Sequence, residues 1–159
     1  MAIKFRNRYL ICSLHLKDAS PSLLKSITRQ TILSALLSSL QSLCGDVGVG
    51  RAKASLTIKD MHVVPFSSST LSTRNDTTGQ VSAKTANHVV FLLRTDRAIL
   101  REVWLAATCV TEVDMRVARI TVEDASGGLE RVKERWLARL EEAGDIDEAV
   151  RVSVANLQT

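Results

Sequence analysis

The stretch KFRNRYLICSLHL, Lys4–Leu16, joins a cationic lead-in to an alternating strand, and its placement decides the fold. From Tyr9 onward the residues sort into two sets. Leu10, Cys12, Leu14 and Leu16 are apolar throughout, whereas Tyr9, Ile11, Ser13 and His15 are mixed. Successive strand side chains point to opposite faces, so the pattern predicts a half-buried strand with one face on helices. The lead-in contains no acid. Feeding it into such a strand gathers Lys4, Arg6 and Arg8 at one edge of a sheet, where an anionic partner would meet them.

Downstream, Ser20-Pro21 is a helix start, with the hydroxyl as N-cap and proline at the first helical position. Leu24, Ile27, Ile32, Leu36, Leu40 and Leu43 recur at helical steps over Leu23–Leu43, and Leu33 and Leu37 widen the stripe, as a helix lying on a sheet requires. Lys25 and Arg29 fall a turn apart on one face of it. Gly45-Asp46-Val47-Gly48-Val49-Gly50 follows. A phosphate loop runs from a strand into a helix, and here the expected order is the reverse. Gly45 to Gly48 also matches the GXXG of an RNA-binding KH domain, but that loop joins two helices. The glycines therefore predict a tight helix-to-strand turn with positive φ.

Arg51–Val64 alternates Ala52, Ala54, Leu56, Ile58 and Met61 against Arg51, Lys53, Ser55, Thr57 and Lys59, a strand with one cationic face that Pro65 ends. Residues 66–87, rich in Ser, Thr, Asn and Asp, cannot recover their ordering entropy by burial and predict a flexible insertion or long hairpin loop. His88–Arg94 (HVVFLLR) is a nearly continuous apolar run suited to a central strand. Thr95-Asp96 caps a helix carrying Ile99, Leu100, Val103, Trp104, Ala107 and Val110. Val113–Glu123 is a fourth strand, with a bulge expected after Val117. Ser126-Gly127-Gly128 opens a third helix with Leu129, Val132, Trp136 and Leu140 on one side, ended by Gly144. Ile146–Leu157 fits a short helix or a strand.

This order predicts an α+β fold of ferredoxin-like βαββαβ plan: an antiparallel sheet with helices on one face and an extra C-terminal helix covering the sheet's open face or one of its ends. The first and third strands then lie side by side at its centre. A single domain over 1–159 is expected, with the insertion at about 66–87 and an acidic tail from about 141.

Composition narrows the function classes. The net charge is +4, with basic residues concentrated in the first third and Glu141, Glu142, Asp145, Asp147 and Glu148 near the end. A basic front and an acidic tail suit a protein that meets nucleic acid with one surface. Only 4% of residues are aromatic, and of the central-strand residues only Tyr9 and Phe91 qualify, so base stacking on the sheet is not expected. Binding through Lys and Arg to phosphate is expected instead. Cys12, Cys44 and Cys109 have no metal-ligand spacing and read as buried free thiols in a reducing compartment. His15, His62 and His88 sit in strand patterns without ligand spacing and read as structural or edge residues. No catalytic constellation, metal site or protein-bound cofactor is expected, and no apolar run is expected to span a bilayer.

Taken together, several segments resemble one family. KFRNRYL, Lys4–Leu10, resembles the basic R-F-K-x-R-Y-L opening of the Pop-five protein-subunit family of ribonuclease P and ribonuclease MRP. Gly45-Asp46-Val47-Gly48 after a long helix is similar to that family's G-x-x-G junction. His88–Thr108 (HVVFLLRTDRAILREVWLAAT) is similar to its strand and V-W-x-A helix. VEDASGGLER, Val122–Arg131, occupies the place of the family's V-x-G-T-I-R, with Glu130 standing where the family has arginine. The resemblance implies a non-catalytic subunit of an RNA-based endonuclease that removes 5′ leaders from precursor tRNA and acts in rRNA processing. Cleavage would be done by the RNA with bound magnesium. Implied partners are the ribonuclease P and MRP RNAs, precursor tRNA, a TIM-barrel-like subunit and a ferredoxin-like sister subunit, in the nucleus and nucleolus, or in the cytoplasm of an archaeal source. The residues implied for RNA contact are Lys4, Arg6, Asn7 and Arg8. Charge placement adds Arg51, Lys53, Arg94 and Arg97. Another ferredoxin-like RNA-binding protein, such as a sister subunit or ribosomal protein, shares these electrostatics, and a small-molecule-sensing domain of the same plan is the alternative of another class.

Overall fold

Ten residues, Asn7–Leu16, form strand β1, and its neighbours follow from how completely it is buried. The computed structural model describes residues 6–64, 88–142 and 148–157, so Lys4, the 66–87 insertion, Asp145 and Asp147 lie outside the described residues. Leu10, Cys12 and Leu14 are fully buried on one side of β1, and Tyr9, Ile11 and Ser13 are buried on the other. The half-buried strand expected from the alternation is thus covered on both faces.

The later elements are α1 (Pro21–Ser26), α2 (Arg29–Lys53), β2 (Thr57–Val64), β3 (His88–Asp96), α3 (Leu100–Thr108), β4 (Glu112–Val113), β5 (Arg116–Ser126), α4 (Leu129–Glu142) and α5 (Glu148–Ala155). The sheet order is β2-β3-β1-β5-β4, and every pairing is antiparallel. As expected, the first and third strands are neighbours, with Tyr9 opposite Arg94 and Leu14 opposite Val89.

The extra helix takes the open face, so helices occupy both sides of the sheet. Leu24, Ile32, Leu36 and Leu40 from α1 and α2, with Val103 and Ala107 from α3, pack on Leu10, Cys12, Leu14, Phe91 and Leu93. Across the sheet, Val132, Trp136 and Leu140 of α4 and Val154 of α5 pack on Tyr9, Ile11, Val90 and Leu92. The reason lies in β3: a strand apolar at every position from Val89 to Leu93 needs cover on each side. The C-terminal helix supplies the second cover, and the undecided tail segment is helical.

Local chemistry explains the remaining differences. The helix expected over Leu23–Leu43 is two. Ser20 caps α1, Ile27 turns extended (φ −67°, ψ 124°), and the Thr28 hydroxyl restarts the chain by accepting from Thr31 N at 3.2 Å. Lys25 and Arg29 therefore do not share one helix face. Gly45, at φ +63°, kinks α2 without ending it. The helix resumes, buries Val49 and Ala52, and places Arg51 and Lys53 in its last turn, where cations complement the helix dipole. The strand expected from Arg51 begins only at Thr57. Val113–Glu123 is a hairpin instead of one strand: Asp114 and Met115, at φ +53° and +57°, make the two-residue left-handed turn between β4 and β5. The bulge falls later than expected. Asp124 lies opposite Ile11 and Val122 opposite Cys12, leaving Glu123 as the extra residue. Helix α2 also has the length and composition of a candidate membrane span, contrary to expectation. Its Ile32, Leu36, Leu40, Val49 and Ala52 side is spent on the core.

The kink yields an opposed pair of substitutions. A Cβ at Gly45 meets open space, so Gly45→Ala carries only the strain of its glycine-specific backbone (φ +63°, ψ −165°) and should destabilise the protein by roughly 1–3 kcal/mol. Gly50→Ala, also in open space but within regular helix, should stabilise it by roughly 0.5–1 kcal/mol. Urea unfolding of both variants checks the signs.

Candidate nucleic-acid interface

Central placement of β1 determines where its lead-in emerges. Asn7 is opposite Asp96, Arg8 opposite Thr95 and Tyr9 opposite Arg94. The Arg97 backbone N–H donates to the Arg6 carbonyl at 2.6 Å, extending the pairing one step past the strands. The backbone positions of Arg6, Asn7, Arg8, Arg94 and Arg97 therefore lie at one end of the two central strands, with Asn7 and Arg94 on the Tyr9 side of the sheet and Arg8 on the Leu10 side. Arg6 and Arg97 are exposed, and Asn7, Arg8 and Arg94 are half-buried.

The half-buried members are oriented by their own chain. Arg94 Nη2 donates to Asn7 Oδ1 at 3.4 Å, which makes Asn7 the holder of a cation. Arg8 Nη1 donates to the Asn7 carbonyl at 2.9 Å. Asp96 lies among these residues, but its Oδ1 accepts from Ala98 N at 2.9 Å as the cap of the turn Arg97–Ile99. Arg6, Arg94 and Arg97 make no ion pair with any of the described residues. Lys59, on β2, belongs to the same end: burial, and then the Arg94 charge, lower its pKa. It falls in the alternating cationic pattern of Arg51–Lys59, but its nearness to Arg94 depends on strand pairing.

Arg51 and Lys53 fit less well. Two residues apart on a helix, they point to different sides and make no common cationic face. The segment after them does return to the cationic end, where Ser55 Oγ accepts from Asp96 N at 3.3 Å.

Away from this end, a polar layer lies between the sheet and α4. Glu123, the bulged residue, accepts from Arg139 Nε at 2.6 Å and from the buried Ser13 hydroxyl. Arg139 Nη2 contacts His88 Nε2 at 3.1 Å, and His15 stacks on His88 with centroids 4.9 Å apart. Nearby, buried Asp60 accepts from Trp136 Nε1 at 3.0 Å, from Met61 N at 2.9 Å, and meets His62 Nε2 at 2.9 Å. Burial raises the Asp60 pKa, but the hydrogen bonds from His62, Trp136 and Met61 outweigh it and hold the carboxyl below its ordinary value. These contacts fasten α4 and have the character of structural clasps. Sequence periodicity marked Trp136 as core but carried no sign of its carboxylate partner.

The cysteines divide. Cys12 is buried, its thiol pushed up by burial and by Glu123, while Cys109 is exposed, contrary to expectation. A groove of about 740 Å³ between α2 and the α3–β4 junction is lined by hydroxyls such as Thr31, Ser34, Ser38 and Ser42, with Glu112 and Asp114 as its charged groups. The Cys109 thiol also lines it. Among the described residues, no three His, Cys, Asp or Glu side chains converge as metal ligands.

The model of the Rpp14/Pop5 family matches residues 8–137. A chain in the cryo-EM structure of yeast ribonuclease MRP is similar over 89% of this chain and 95% of its own, at 12% identity and a TM-score of 0.47. No curated protein sequence matches the chain.

The polar layer has a pH signature. Burial, followed by the charges of His15 and Arg139, lowers His88 from 6.5 to about 4. Between those values the unfolded chain binds a proton that the folded one does not, so stability falls as pH drops from 6.5 toward 4. His15, lowered chiefly by burial, adds in the same direction. For Glu123, hydrogen bonds from Arg139 and Ser13 outweigh burial and depress the carboxyl, extending the loss below 4.5. Urea midpoints measured across this range should fall with acid, and His88→Asn should flatten the upper part of the decline.

Proposed function

The chain belongs to the Rpp14/Pop5 family, and on that premise we propose that it serves as a non-catalytic protein subunit of ribonuclease P and ribonuclease MRP. Its role is to grip RNA phosphate with the cationic end of the sheet while the RNA, with its magnesium, performs cleavage. The observation that carries this reading is the placement of Arg6, Arg8, Arg94 and Arg97 at one end of the sheet by the β1–β3 pairing, with Asn7 holding Arg94. Lys4, directly upstream, joins them by sequence. Arg51 and Lys53 contribute general positive charge at the end of α2 rather than a shared contact face.

The chemistry favours backbone over base recognition. Tyr9 is buried beneath α4, and Phe91 lies in the opposite core, so neither aromatic is presented for stacking. Affinity then comes from phosphate contacts and falls steeply with salt. The strand order β2-β3-β1-β5, with β4 as an edge addition, supports a ferredoxin-like reading of the sheet. Trp104 and Leu105, 39% and 51% exposed on α3, offer apolar surface to companion subunits, one TIM-barrel-like and one of the chain's own plan. Precursor tRNA leader removal and rRNA processing in the nucleus and nucleolus, or the cytoplasm of an archaeal source, are the setting this assignment entails.

Arg6→Glu combined with Arg97→Glu alters two exposed side chains and should leave the thermal melt unchanged. Binding to a transcribed ribonuclease P RNA should weaken at least about ten-fold, and the dependence of log K on log salt should lose about two contacts' worth of slope. Unchanged binding would remove the arm from the interface. Purified protein stripped of RNA should cleave no precursor tRNA with or without magnesium. Metal-dependent cleavage under those conditions overturns the non-catalytic role.

A further inference from the structure

Gly127 lies where β5 has ended and α4 is about to begin, beside the guanidinium of Arg8. A Cβ built on Gly127 would stand 2.8 Å from Arg8 Nη1, 3.0 Å from Cζ and 3.4 Å from Nε. The Nη1–Cζ–Nε edge of the guanidinium thus fills the space that a Cβ at 127 would take. Backbone conformation does not explain the glycine: among the described residues, Gly45 is the glycine with positive φ. Gly128, next along the chain, has nothing within 4 Å of its own Cβ position. Space for one side chain is what residue 127 provides.

Resting on the RNA-binding reading above, we propose that Gly127 is a positioning residue for RNA binding, shaping the seat that aims Arg8 at phosphate. Arg8 on β1 and Arg94 on the adjacent β3 are then set by different devices. Arg94 is held by the Asn7 side chain, and Arg8 is laid across Gly127 with Nη1 on the Asn7 carbonyl. A methyl at 127 collides with the far end of a flexible side chain, not with backbone. The strands and α4 can stay in place while the guanidinium swings away. A planar fork delivers its donors in a fixed direction, so moving it forfeits the contact even though the charge remains.

The test is a cycle of variants binding a transcribed ribonuclease P RNA, with thermal melts run in parallel. Arg8→Ala should weaken binding by about three- to ten-fold and reduce the salt slope by about one. Gly127→Ala should do nearly the same with an unchanged melt, and the double variant should be no weaker than Arg8→Ala alone. Gly128→Ala should bind like the parent. In an Arg8→Lys background, whose slimmer ammonium needs no such seat, Gly127→Ala should have no further effect. If Arg8→Ala weakens binding while Gly127→Ala does not, or if the two effects add, the positioning role is wrong. If Arg8→Ala itself leaves binding unchanged, the fault lies in assigning Arg8 to the RNA contact, and the proposal falls with it.

Discussion

Burial of β1 on both faces is the constraint from which the architecture follows. A strand that hydrogen-bonds β3 on one edge and β5 on the other, and packs apolar residues in both directions, cannot tolerate solvent anywhere along Tyr9–Leu14. Helices must lie on each side, and α4 with α5 complete what α1–α3 leave open. The same constraint places the charged residues. Whatever precedes Tyr9 leaves the sheet at the end where β3 finishes, so Arg6, Asn7 and Arg8 meet Arg94 and Arg97 as a consequence of register.

Closing the second face also decides what kind of surface remains. In a sheet that reads bases, central-strand aromatics face outward. Here that side holds Tyr9 under apolar cover, and its polar positions, Ser13, Glu123 and Asp60, are committed to α4 through Arg139 and Trp136. The accessible chemistry is displaced to the strand ends, where guanidinium groups can contact phosphate without regard to sequence.

How legible this was depended on the range of each interaction. The alternation of Leu10, Cys12 and Leu14 and the apolar run of β3 marked both segments as strands, because a sheet's periodicity is written locally, while their central, adjacent placement followed from the order of the elements. The helical stripes of α3 and α4 were readable for the same reason. Boundaries were not. Arg51 and Lys53 alternate with alanines as a strand would, and only the burial of Val49 and Ala52 shows that the helix runs through them. Thr28 as a second cap and Asp114-Met115 as a turn were hidden by apolar neighbours that fit longer elements. Arg6, Arg8, Arg94 and Arg97 could be named from charge and motif, whereas Lys59 beside Arg94 and Arg8 against Gly127 depend on pairings between distant segments.

The pairing of β1 has a further cost, and it concerns time. Its partners are residues 89–96 on one edge and 118–126 on the other, so the first strand made is among the last satisfied. As the chain leaves the ribosome, Tyr9–Leu14 waits with unpaired amides and bare apolar side chains until β5 has been synthesised. Contacts so distant in sequence slow folding and prolong the exposure of a sticky edge. Early capture of the nascent segment, by a chaperone or by an assembly partner, is the safeguard this topology calls for.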